Sequence, residues 1–231
     1  MNRLAIDTSN EVLGVAIMHN NKIVAELTTN IKKDHSSRLM PAIVQLMNEV
    51  NISPDQLDKV IVANGPGSYT GTRIGVTTAK TLAWAMDIPI FAVSSLATLA
   101  LNGKHFDAYI CPFFDARRST VFTGLYKWDN GQLKTVLEDK NILMKKWLTE
   151  LLNYKDKILF LSPHLVSFED TIFSKLGNQA VIAENMDHLS RPSNMFLLSE
   201  QSKSTSVHLV KPNYLRMTEA EANLLKRQKE D

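Results

Sequence analysis

RLAIDTSNEVLGVAIMHNNKIVAELT, residues 3–28, reads as three strands in succession. Apolar residues crowd 3–8, 12–18 and 22–28 in the short runs and alternations of a half-buried or buried sheet. Asn20-Asn21 supplies a tight turn between the second and third strands. Downstream the period changes. Leu39, Ile43, Leu46 and Val50 recur at helical spacing over about 37–50, with Pro41 near the start of that helix or at a kink. A strand at 60–63, a glycine-rich loop, a helix to Met86, a strand at 90–93 and a helix at 95–102 complete the set.

The same order then recurs. Strands fit 107–114, 119–126 and 133–138, with Asn130-Gly131 as the turn between the last two. A helix follows at 141–153 with Asn141 as its cap, then a strand at 158–161, a helix at 167–176, a strand at 181–183 and a helix at 192–201. The division falls near Asn102-Gly103-Lys104, between halves 1–103 and 104–231. Identity between the halves is low, so the repeat is one of topology. A meander followed by alternating helices and strands gives a mixed sheet covered by helices. Two such units in tandem are similar to the actin–sugar kinase–Hsp70 class, an α/β fold of two ribonuclease H-like halves.

The bulk numbers agree with a packed core. Of 231 residues, 44% are hydrophobic and 22% charged. A net charge of +2 neither requires nor excludes nucleic acid as a partner. Lys226, Arg227 and Lys229 form a basic stretch that Glu230 and Asp231 dilute, which reads first as a solvated end and second as an RNA contact. The single cysteine, Cys111, excludes an internal disulfide and sits in an apolar run, AYICPFF, as a buried small hydrophobe. No apolar run reaches membrane-spanning length and the N-terminus lacks a signal-peptide layout, so the expected location is cytoplasmic, without membrane contact.

In active members of the actin–kinase class, the turn after the first strand of each half grips phosphate. The matching turns here are Asp7-Thr8-Ser9-Asn10 and Asp115-Ala116-Arg117-Arg118. Close approach of backbone N–H groups to phosphate calls for glycine, and the second turn has arginines instead. Arginine can still fork onto phosphate. Asp7, Thr8, Ser9, Arg117 and Arg118 are therefore candidate nucleotide contacts, with a plain hydrogen-bonded turn as the other reading of 7–9. The glycine pair that faces adenine in that class is missing from Leu161-Ser162-Pro163-His164.

GPGSYTGTRIG, residues 65–75, is neither a Walker A loop nor a dinucleotide fingerprint by spacing. It reads as a strand-to-helix turn, with Gly67 at positive φ and Thr70 as the N-cap. Gly65, Gly67, Gly71 and Gly75 are its structural glycines. Gly71, Gly75, Thr78, Ala79 and Ala83 then form a small-residue stripe. Two readings fit that stripe: packing of the helix on its own sheet, or close contact with a helix of another protein.

LAIDTS, HSSRLMPAI at 35–43, GPGSYTGTRIG, DARRSTVF at 115–122 and PNYLR at 212–216 resemble, in order and spacing, the TsaB (YeaZ) family. The resemblance spans nearly the whole chain. It implies a non-catalytic subunit of the assembly that places threonylcarbamoyl on a tRNA adenosine next to the anticodon. The implied partners are the catalytic paralogue TsaD, the ATPase TsaE, a second copy of the chain, and tRNA through the complex. The implied partner surface lies on the two helices after 35 and after 69: His35, Leu39 and Ile43, with Tyr69, Thr72, Arg73, Val76 and Lys80. Tyr214 and Arg216 are expected to pack their segment onto the body or to touch a partner. The paralogue holds its metal with a His-Leu-Glu-Gly-His segment, and Ser95 and Leu99 stand where those histidines would be. The resemblance therefore implies no metal, no catalytic residue and no cofactor on this chain alone, with a nucleotide at the partner interface left open. The competing functions are a stand-alone ATPase of the actin–kinase class and a protease acting on a partner, for which no nucleophile–histidine–acid set stands out.

Overall fold

The structure, a computed structural model, describes residues 1–31 and 34–216. The basic stretch at Lys226, Arg227 and Lys229 lies outside the described residues. Strands β1 (Asn2–Asp7), β2 (Leu13–His19) and β3 (Lys22–Thr29) form the meander, followed by α1 (His35–Glu49), β4 (Lys59–Ala63), α2 (Tyr69–Ala85), β5 (Ile90–Val93) and α3 (Ser95–Ala100). The second set is β6 (Tyr109–Asp115), β7 (Thr120–Asp129), β8 (Gln132–Leu143), α4 (Met144–Leu151), β9 (Ile158–Leu161), α5 (Glu169–Leu176), β10 (Ala180–Ile182) and α6 (Asn194–Glu200).

Each set builds one five-stranded sheet, in the order β3-β2-β1-β4-β5 and β8-β7-β6-β9-β10. The first three strands of each sheet run antiparallel and the rest pair parallel. The two orders superimpose position for position, so the duplication holds in three dimensions and the fold is the expected pair of ribonuclease H-like halves. The last strand of the first sheet ends at Val93 and the first strand of the second begins at Tyr109. The chain after β10 nevertheless crosses back.

Three apolar cores result. Leu39, Ile43, Leu46, Val76 and Ala79 turn inward and cover the outer face of the first sheet with α1 and α2. Trp147, Leu148, Ile172 and Leu176 do the same for the second sheet through α4 and α5. The third core lies between the sheets and draws on both halves, with Leu96, Leu99, Met195 and Phe196 from α3 and α6. Here the helices are exchanged: α3 lies on β6 and β7, and α6 lies on β1, β4 and β5. A polar tie accompanies this core. Ser94 Oγ donates to Asp139 Oδ2 at 2.5 Å, and Tyr126 donates to the other oxygen.

Local chemistry corrects several expected details. Asn141 does not cap a helix; it belongs to β8, which runs on to Leu143, and its amide donates to the Val121 carbonyl. Ser68, not Thr70, caps α2 by accepting from Gly71 N. The positive φ falls on Gly65, at +108°, rather than on Gly67. Gly67 is needed for space: a Cβ there would stand 1.9 Å from the Ser9 carbonyl oxygen.

The small-residue stripe packs internally. A Cβ on Gly71 would meet the Thr8 carbonyl oxygen at 2.2 Å, and one on Gly75 would meet Thr8 Oγ1 at 2.5 Å. Thr8 Oγ1 in turn donates to the Gly71 carbonyl at 2.7 Å. Gly75→Val is therefore expected to destabilise the chain itself, by about 1–3 kcal/mol of overpacking. Thermal and urea unfolding read this directly; a variant as stable as the parent would show that α2 has room to move off β1.

Candidate functional site: the cleft between the halves

β1 and β6 each end in an aspartate, and the two turns that follow begin alike. Ser9 N donates to Asp7 Oδ1 at 2.9 Å, and Arg117 N donates to Asp115 Oδ1 at 2.8 Å. Both are Asx turns, in which the carboxylate substitutes for a backbone acceptor two residues on. Their surroundings differ. The first turn is sealed: Asp7, Thr8, Ser9 and Asn10 are buried, and Ser68 N donates to the Ser9 carbonyl at 2.6 Å. Gly71 and Gly75 of α2 pack directly against Thr8. Ser9 Oγ is spent on Asp7 Oδ1 at 2.7 Å and Thr8 Oγ1 on Gly71. Residues 7–9 thus form a hydrogen-bonded turn.

The second turn is open. Arg117, Arg118 and Ser119 all lie at positive φ, at 66°, 53° and 57°, and all three are exposed. Non-glycine residues pay about 1–3 kcal/mol each for such backbone. Bonds from Ala116 N to Thr120 O (2.9 Å), Thr120 N to Arg117 O (3.0 Å) and Met144 N to Ser119 O (3.0 Å) hold it. The result is a turn that carries two arginine side chains outward on a fixed base.

Between the turns lies an open cleft of about 1110 Å3. Its first wall holds Asn10, His35, Ser68 and Tyr69; its second holds Asp115, Arg117, Arg118 and His164. A strap from the C-terminal side closes one flank. Asn213 N donates to the Asn64 carbonyl at 2.7 Å, and Lys80 Nζ donates to the Val210 carbonyl at 2.9 Å. Tyr214 stacks on Tyr69 with ring centres 4.8 Å apart. Arg73 lies over Tyr69 at 4.1 Å and donates from Nε to the Tyr214 hydroxyl at 2.6 Å. Arg216 then reaches across to the carbonyl of Ala116 in the second turn. PNYLR thus packs onto the body, as expected, and also spans the cleft. The stack of Tyr69 and Arg73 with Tyr214 was not visible in sequence, because Tyr214 lies 141 positions beyond Arg73.

The expected partner-surface residues divide. Leu39, Ile43, Thr72 and Val76 are buried in this chain, and the three apolar ones join the core on its first sheet. Thr72 also lines the cleft. His35 is half-buried, with Nε2 on the Asn10 carbonyl at 2.8 Å. Tyr69 and Arg73 face the cleft and the strap, and Lys80 holds the strap. Besides Tyr69, the large apolar side chains of α1 and α2 that stay exposed are Met40, Val44 and Trp84. Ser95 is buried and fully used: its Oγ accepts from Gly65 N at 3.1 Å and its N–H donates to the Gly65 carbonyl at 2.9 Å. Leu99 is buried in the inter-sheet core. Among the described residues, no three His, Cys, Asp or Glu side chains converge as a metal-binding group, and no helix is long and apolar enough to cross a membrane.

The family model described as TsaD, tRNA N6-adenosine threonylcarbamoyltransferase, matches residues 22–224. The tRNA threonylcarbamoyladenosine biosynthesis protein TsaB of Bacillus subtilis (strain 168) is 49% identical over 230 residues, 99% of this chain and 100% of that protein. The chain belongs to the TsaB family. It thereby falls within the wider group that the TsaD model describes. The TsaB of Buchnera aphidicola subsp. Schizaphis graminum is 33% identical over 63% of this chain and 75% of its own length. A Pseudomonas aeruginosa crystal structure, described as an uncharacterized protein with similarity to peptidase YEAZ, shares the fold with a TM-score of 0.81 at 22% identity, over 93% of this chain and 99% of that one.

Asp7 gives the site a measurable cost. Its Oδ2 is buried without a hydrogen bond. Burial pushes the carboxyl above its ordinary 3.8, against the opposing effects of the Ser9 bonds and of nearby His35. A raised folded pKa means that the folded chain holds the proton more tightly than the unfolded chain. Stability therefore falls as pH rises from 3.8 through the folded value, and the deficit persists above it. Asp7→Asn keeps an acceptor for Ser9 and removes that deficit. It is expected to raise stability at neutral pH, because the neutral amide buries no charge at this position, with the gain vanishing in acid. Melting temperatures across pH 3–8 test this; equal curves for the two proteins would mean that Asp7 is not strained by its burial.

Proposed function

We propose that this chain is a non-catalytic subunit of tRNA threonylcarbamoyladenosine synthesis that acts by binding the catalytic paralogue TsaD. Family membership supports the pathway. The observation that carries the scaffold role is the surface left on α1 and α2: Trp84 is 68% exposed and Val44 50%, with Met40 close behind at 42%. The inward stripes of both helices are satisfied by their own sheet, so these outward apolar groups gain only by covering from outside. The closed first turn and the use of Ser95 to hold Gly65 support the non-catalytic part. A second copy of the chain and TsaE complete the proposed assembly. A nucleotide shared with a partner would be placed in the cleft, beside the second turn.

Trp84 and Val44 make few contacts within the chain, so replacing them leaves its fold intact. Val44→Glu with Trp84→Glu is expected to weaken association with TsaD by roughly 30-fold or more, the scale of a lost aromatic anchor, with an unchanged melting temperature. Size exclusion of the mixed proteins and nucleoside analysis of tRNA from cells carrying the variant read the two consequences. Unaltered co-elution would move the interface off these helices; persisting threonylcarbamoyladenosine in cells depleted of the chain would remove the pathway reading.

A further inference from the structure

We infer that the cleft is a direct binding site for single-stranded RNA, with the Tyr69–Tyr214 pair as its stacking platform. The inference rests on the pathway reading above and adds to it a contact by this chain.

Two rings lie nearly parallel, at 27°, and remain 41% and 43% exposed. The pair lines the cleft and stays partly exposed there. Arg73 lies against both rings, at 4.1 and 5.7 Å. A guanidinium plane beside stacked aromatics is the surface on which splayed bases stack. Arg117 and Arg118 stand exposed on the opposite wall. Their left-handed backbone is costly, and such cost gathers at functional sites.

The rest of the lining points the same way. Ser68, Thr70 and Asn213 offer hydroxyl and amide groups suited to base edges. Asn10 also lines the cleft, is only 6% exposed, and its Nδ2 donates to no described group. Ile31, Phe114, Phe122 and Leu215 add apolar surface to the same lining. Glu11, Asp34 and Asp115 also line the cleft. They offset its arginines, so stacking rather than charge dominates. The salt dependence should be shallow, about one or two phosphates' worth at roughly −0.7 each.

The test uses the complex of this chain with TsaD and a fluorescein-labelled anticodon stem–loop RNA. Tyr69→Leu is expected to weaken RNA binding roughly 5- to 150-fold, the effect of one lost base stack, and Tyr214→Phe to retain it. Tyr214→Ala should behave as Tyr69→Leu, with its melting temperature checked because the ring also pins the strap. Crosslinks from 5-iodouridine in the loop should map to Tyr69 or Tyr214. The inference is overturned if Tyr69→Leu binds RNA like the parent, if it releases TsaD together with RNA, or if AMP or ATP binds the cleft as tightly as the RNA and displaces it. The scaffold reading fails separately, if the parent chain does not co-elute with TsaD; the RNA measurements are then read on the isolated chain, with the same outcomes.

Discussion

The exchange of α3 and α6 between the sheets is the constraint on which the rest of the molecule depends. Each sheet has one face covered by its own helices and the other by a helix of the opposite set. Neither inner face is complete without the other half, because an exposed sheet face of Val, Ile and Leu forfeits about 25 cal/mol for every Å2 of apolar surface left in water. The shared core, with its Ser94–Asp139–Tyr126 tie, leaves little freedom for the halves to swing. The cleft is therefore a gap with set walls, and Arg216 bridges it at one flank. A kinase-like opening and closing around nucleotide would have to break these ties.

The two halves also show how one turn serves opposite ends. The Asx hydrogen bond is the same at Asp7 and Asp115, within 0.1 Å. After Asp7, α2 brings glycines against the turn and closes it. After Asp115, three residues in left-handed conformation swing side chains out and keep the turn open. What differs is the space allowed by neighbouring residues and not the local hydrogen bonding. Asp7 keeps one carboxylate oxygen unsatisfied in a place where nothing else uses it, which is a cost without a visible return inside the chain.

Much of the fold was legible because the switch from period two to period 3.6 is local and repeats in the same order in both halves. The strap's stack was not legible: Arg73 and Tyr214 are 141 positions apart, and no periodicity links them. Cap positions went astray where one glycine's backbone decides the geometry, as Gly65 does for Ser68. The partner surface shows a more general limit. Apolar residues at helical spacing, such as Leu39, Ile43 and Val76, mark the side that a helix turns to its own core. Trp84 and Val44 fall outside that stripe, so the periodicity that marks the core face of α1 and α2 does not say which groups meet another protein.

The exchanged helices bear on how the chain is made. The first sheet is complete once β5 has left the ribosome, yet α6, which covers its inner face, is encoded about a hundred residues later. At roughly 5–20 residues per second, that apolar face waits about 5–20 s for its cover. During synthesis the nascent first half is therefore a natural client for a holding chaperone, and its slowest vulnerable interval is set by the distance along the messenger between β5 and α6.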